Sequence, residues 1–139
     1  MRILIILFIM LLPFTSKGQI EIDSLSVYKY FEKKGYTTAG VASQFRDFEQ
    51  KEMEPIEMTP IEINQINQIL KLAKIKKHRQ TKFGIAPLFC KAVIGEKKID
   101  FIIGKNIIVD LTNYQNYLIK NEEDRLWLEA LIEKIRGIR

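Results

Sequence analysis

The chain has 139 residues, with 22 Lys and Arg against 17 Asp and Glu, for a formal net charge of +5. One cysteine, Cys90, rules out an internal disulfide, and one histidine, His78, leaves too few soft ligands for an ordinary zinc site. A chain of this size can instead form one hydrophobic core without staples, so a single globular unit is expected.

The N-terminus carries an address. Arg2 provides a positive start, Ile3 to Leu12 is an unbroken apolar run, and Pro13 follows it. Ser16 and Gly18 then place small side chains at −3 and −1 of a cut before Gln19, the layout of a secretory signal peptide. A helix over that run is about 15 Å long, roughly half the thickness of a bilayer's hydrocarbon core, so it is too short to span. No cysteine stands after the run for lipid attachment. The expectation is a signal peptide over 1–18, then a mature single α+β domain over 19–139 that is periplasmic or secreted.

In chain order, Asp23 or Ser24 is placed to cap a first helix over Leu25–Lys34, with Leu25, Tyr28 and Phe31 on one face and Gly35 closing it. Val41, Phe45 and Phe48 mark a weaker amphipathic stretch. Glu49 to Met58 is acidic, carries Pro55 and reads as a connector or a short edge strand. Thr59-Pro60-Ile61-Glu62 is the strongest local signal. Thr59 suits the N-cap, Pro60 suits the first helical position, and Glu62 can return a bond to the cap. Ile63, Ile66, Ile69, Leu70 and Ala73 continue as an apolar stripe, which predicts a helix over about 60–77 whose lysine-rich end complements its dipole.

The period then changes to two. Leu88, Cys90, Ala92 and Ile94 alternate with Phe89, Lys91 and Val93. Gly95-Glu96-Lys97-Lys98 and Gly104-Lys105-Asn106 punctuate the runs Ile99–Ile103 and Ile107–Leu111, and Tyr114–Ile119 adds a fourth. Short strands joined by Gly and Asn turns predict an antiparallel meander of three to four strands over about 85–119. Asn121 caps a last helix over about 122–137, with Trp127, Leu128, Leu131, Ile135 and Ile138 as its buried stripe. The predicted class is α+β, a meander packed against flanking helices.

Catalytic chemistry finds little to stand on. A Ser-His or Cys-His mechanism would have to use His78, which sits among Lys76, Lys77 and Arg79 in what reads as a helix-to-strand loop. Cys90 alternates with Leu88, Ala92 and Ile94 and reads as a core residue. Asp47, Glu49, Glu52, Glu54 and Glu57 lack the spacing of a calcium loop. No cofactor and no metal are expected.

Charge distribution is the better guide. From Lys71 to Lys98 nine basic residues face Glu96 alone, a local net of +8. Lys71, Lys74, Lys76, Lys77, Arg79 and Lys82 are the candidate binding residues, either as a solvated face or as a surface that steers an acidic partner. A protein partner would need aromatic anchors near these charges, and Phe83, Phe89, Tyr114 and Tyr117 are the candidates. Export and the lack of a recognition motif argue against nucleic acid. The leading expectation is an exported, non-enzymatic binding module of inhibitor or immunity type. The alternatives are a small carboxylate-dependent hydrolase or lyase with Tyr114 or Tyr117 as acid, and a peripheral envelope protein held by anionic head groups through residues 71–98.

Overall fold

The computed structural model describes residues 21–28, 55–79, 81, 83 and 87–137. Among them are seven strands and two helices: β1 (Ser24–Tyr28), β2 (Ile56–Glu57), α1 (Pro60–Leu72), β3 (Lys74–Lys77), β4 (Leu88–Ile94), β5 (Lys97–Ile103), β6 (Ile107–Asp110), β7 (Gln115–Leu118) and α2 (Glu122–Gly137). The strands form one sheet in the order β2-β1-β4-β5-β6-β7-β3, and every neighbouring pair is antiparallel. The class is α+β, as the sequence implies. The sheet, however, has seven strands rather than three or four, with the predicted meander as its contiguous middle.

Local chemistry explains that middle. Gly95 opens the two-residue β4–β5 turn with φ of 61°, and Glu96 does not share a positive φ, the arrangement of a type II′ hairpin. The Gly95 N–H donates to Asp23 Oδ2 at 2.7 Å, which ties this turn to the start of β1. Between β6 and β7 the carboxylate of Asp110 organises the turn. It accepts from Thr112 N at 2.9 Å, Asn113 N at 2.8 Å and Asn113 Nδ2 at 2.9 Å. A buried carboxylate with three donors is a satisfied one. Gly104, between β5 and β6, lies so close to Phe83 that a Cβ would meet its ring at 2.9 Å.

Two elements differ from their sequence reading. Residues 24–28 are a strand, not the start of a helix, and residues 29–34 lie outside the described set, as do Val41, Phe45 and Phe48. Leu25 and Val27 are buried while Ser24 and Ser26 are not, so the operative period is two. The three-residue spacing of Leu25, Tyr28 and Phe31 misled because a short apolar run satisfies both templates. The second difference is that α1 stops at Leu72. Ala73 takes an extended conformation (φ −70°, ψ 149°), and Lys74–Lys77 pairs with β7 from Lys74↔Leu118 to Lys77↔Gln115. A helix over Lys74–Lys77 would bury nothing more. As a strand, the same residues satisfy one edge of β7. Ile56–Glu57, by contrast, is the short edge strand that its acidic, Pro-bearing context suggested.

The caps hold. Thr59 Oγ1 accepts from Glu62 N at 3.2 Å, and Glu62 Oε1 accepts from Thr59 N at 3.1 Å, a complete capping box. Asn121 Oδ1 accepts from Glu123 N at 2.9 Å at the start of α2. Both helices lie on one face. Ile63, Ile66, Ile69 and Leu70 of α1 and Leu128, Leu131, Ile132 and Ile135 of α2 share one cluster with Leu25, Leu88, Phe101, Ile108 and Tyr117 of the sheet. Asn67 interrupts the apolar stripe of α1 for a reason. Its amide accepts from Ile22 N at 2.8 Å and donates to Ile22 O at 3.1 Å, bonding the strip before β1 as a neighbouring strand would. The opposite face carries a second cluster of Phe83, Phe89, Ile102 and Val109.

Candidate functional site

Since β2 lies at one edge of the sheet and β3 at the other, α1 carries the chain across, and its basic end arrives at the β3 edge. Lys71 occupies the last turn of α1, and Lys74, Ile75, Lys76 and Lys77 of β3 are all exposed. Arg79, just beyond, is exposed too, so four of the six candidate residues lie in β3 or directly after it and Lys71 closes the helix that leads into it; Lys82 lies outside the described residues. Among the described residues none of the five makes an ion pair. The sequence cluster of +8 is nevertheless not one patch. Lys97 and Lys98 sit in β5, three strands away, roughly 14 Å across the sheet. Lys91 lies in β4, opposite Asp100.

Register assigns the side chains of the edge to faces. Lys76 stands opposite Asn116, and Asn116 opposite Val109 of the second cluster, so Lys74 and Lys76 share the face without helices. Ile75 stands opposite the core residue Tyr117, so Ile75 and Lys77 belong to the helix-bearing face. Ile75 is still 46% exposed, because no strand among the described residues covers its outer side.

The β6–β7 turn supplies an aromatic to the same edge. Tyr114 is 68% exposed and holds φ of 56°, a left-handed conformation that a tyrosine seldom adopts. His78, directly after β3, meets it edge-on, with ring centroids 5.9 Å apart and planes at 71°. Asn116 fixes that imidazole. Its Nδ2 donates to Arg79 O at 3.2 Å, which leaves Oδ1 to accept from His78 Nδ1 at 3.1 Å. The His78 Nδ1 therefore carries the proton. His78 thus follows a strand rather than a helix, and it acts as a buttress for Tyr114.

Of the four proposed aromatic anchors, only Tyr114 is exposed. Phe83, Phe89 and Tyr117 are buried. The Tyr117 hydroxyl donates to Gln115 Oε1 at 3.1 Å, and burial, followed by the negative charge of Asp110, pushes its pKa up to about 12. Cys90 is fully buried, and that burial pushes its thiol well above the ordinary range. Pairing with a second chain would require β4 to open. Glu57, the one described member of the acidic segment, accepts from Ser26 Oγ at 2.7 Å; Asp47, Glu49, Glu52 and Glu54 lie outside the described residues. Among the described residues no three of His, Cys, Asp and Glu come together as metal ligands.

A second surface feature lies between the helices, where Ile61, Gln65, Trp127, Ala130 and Leu131 line a cavity of about 310 Å³. Glu62 and Lys134 close one side at 3.3 Å. Burial pushes the Glu62 carboxyl up, but the bonds from Thr59 and the Lys134 ammonium outweigh it and hold the group below its usual range. Tyr114 is the exposed member of the four candidate aromatics, and the sequence alone does not separate it from its three buried counterparts. Its only signal was its place directly after Thr112-Asn113, at the end of a turn. Comparison with protein-family models, curated proteins and solved structures found nothing that matches this chain.

Proposed function

We propose that the chain is an exported, non-enzymatic binding module that holds an acidic protein partner against the β3 edge, with Tyr114 as its anchor. The observation that carries this reading is the convergence of an exposed, strained tyrosine with an uncovered lysine-rich strand. Interfaces draw much of their energy from a few Tyr and Arg residues ringed by polar contacts, and Tyr114 with Arg79 has that composition. Basic residues around an anchor speed encounter with an acidic surface and set register. Cys90 and Tyr117 are committed to the interior, which removes the thiol and one of the two candidate acids from a catalytic reading and favours binding, with Tyr114 the candidate acid that stays exposed. Inhibitor or immunity proteins work in this manner. Export follows from the leader over 1–18, with the mature domain beginning at Gln19.

The test is capture from the organism's own periplasmic or culture fraction. Lys76→Glu, Lys77→Glu and Arg79→Glu together should lose the partner while circular dichroism stays unchanged. Undiminished capture by that triple variant removes the basic edge from the function. Flotation with vesicles rich in phosphatidylglycerol is the control. Strong, salt-sensitive flotation without protein capture would instead make the partner an envelope surface. Mass spectrometry of the exported protein should find Gln19 as its first residue.

A further inference from the structure

We infer that β3 accepts an extended acidic segment of the partner as an eighth, antiparallel strand. This deepens the reading of the basic edge as a binding surface and rests on it. An edge strand turns the N–H and C=O of alternate residues away from the sheet, and these groups are a template for another chain. β3 pairs only with β7 among the described residues, and all four of its side chains are exposed, so none of the described residues covers that template.

Lysines on an edge normally guard it against pairing. Here the guard is selective. A second copy of β3 laid antiparallel in full register would set a lysine against Lys74 and against Lys77, with Ile75 against Lys76, and like charges directly opposite each other on a sheet are destabilising. The same three charges attract a strand of opposite sign. Register states what that strand should carry. Opposite Lys77, Lys76 and Lys74 it places acids, and opposite Ile75 an apolar residue. Read from its N-terminus, an antiparallel segment runs acid-acid-apolar-acid. An aromatic just before the first acid would stand opposite His78, whose ring meets Tyr114 edge-on. The bonded backbone supplies affinity and the side-chain pattern supplies choice, as in other cases of strand addition.

The probe is a fluorescent peptide with the core Phe-Glu-Glu-Val-Glu, titrated against the mature protein by anisotropy. Binding should be saturable, and it should weaken about tenfold or more with Lys74→Glu plus Lys76→Glu, since removing close charge pairs commonly has effects of that size. The decisive arms are two peptides N-methylated at alternate backbone nitrogens. A strand presents only one of the two sets to its neighbour, so one should lose binding about tenfold or more and the other should bind as the parent does. Hydrogen exchange of residues 74–77 in the unaltered protein gives a readout that needs no variant, and saturating peptide should slow it. If both N-methylated peptides bind like the parent, or exchange is unchanged at saturation, strand addition falls while the basic edge stands. If no acidic peptide binds yet the triple reversal still loses the natural partner, this inference again falls alone.

Discussion

Strands β4 and β3 belong to one sheet and have opposite surroundings. In β4, Leu88, Phe89, Cys90 and Ala92 are buried, so its side chains pack on both faces; in β3 every residue is exposed. Position rather than composition makes the difference. β4 lies between β1 and β5 with a cluster on each side, whereas among the described residues β3 has one neighbouring strand, β7. Stability is therefore concentrated at the centre, and the edge is free to carry charge. A binding surface and a hydrophobic core can then change independently.

The comparison breaks if the centre tolerates what the edge tolerates. Leu88→Ala should cost about 2–5 kcal/mol through lost burial and a residual cavity, read as a lower urea midpoint. That loss is a large share of a domain's whole stability. Asn67→Ala, which strips the backbone of Ile22 of both partners, should cost about 2–3 kcal/mol in the same assay. A near-neutral result would show that the strip before β1 is held by packing alone.

Alkaline titration sharpens the contrast further. Tyr117 is neutral in the folded state up to about 12, whereas the unfolded chain releases that proton near 10. The folded state therefore binds more protons between those values. The stability contributed is whole below about 10 and is lost as pH rises toward about 12. Tyr117→Phe should flatten that part of the profile, and a profile unchanged by the substitution would mean another group governs it.

At the edge the expected effects are smaller and of the opposite kind. Tyr114→Gly relieves a left-handed backbone and should raise stability by about 0.5–1 kcal/mol while weakening partner capture. A gain in stability coupled to a loss of binding is the signature of a residue held in strain for contact. The triple reversal at Lys76, Lys77 and Arg79 should shift stability by no more than about 0.5 kcal/mol, as exposed surface changes usually do. A larger loss would place part of the fold's stability in β3.

How much could be read in advance depended on how far each signal reached along the chain. The capping box of Thr59 and Glu62 spans four residues, and Asn121 meets its donors two and three residues on, so both helix starts were legible. The meander was legible because each of its turns joins strands adjacent in sequence. β1 was not, since five residues with two buried positions satisfy a helix and a strand equally. β3 escaped because an edge strand that exposes every side chain has no period to detect. The run of basic residues was legible as composition, but its division between one edge and the β4–β5 hairpin depends on strand order.

The amino-acid sequence by itself determined the helix caps, the central hairpins and the concentration of positive charge between Lys71 and Lys98. These rest on contacts among near neighbours or on composition, which folding does not alter. Only the tertiary structure decided that α1 ends on the far edge, that Lys74–Lys77 pairs with β7, and that of Phe83, Phe89, Tyr114 and Tyr117 it is Tyr114 that stays outside. Each of those outcomes turns on which backbone groups distant segments must satisfy in one another, a quantity that exists only once the strands are in place.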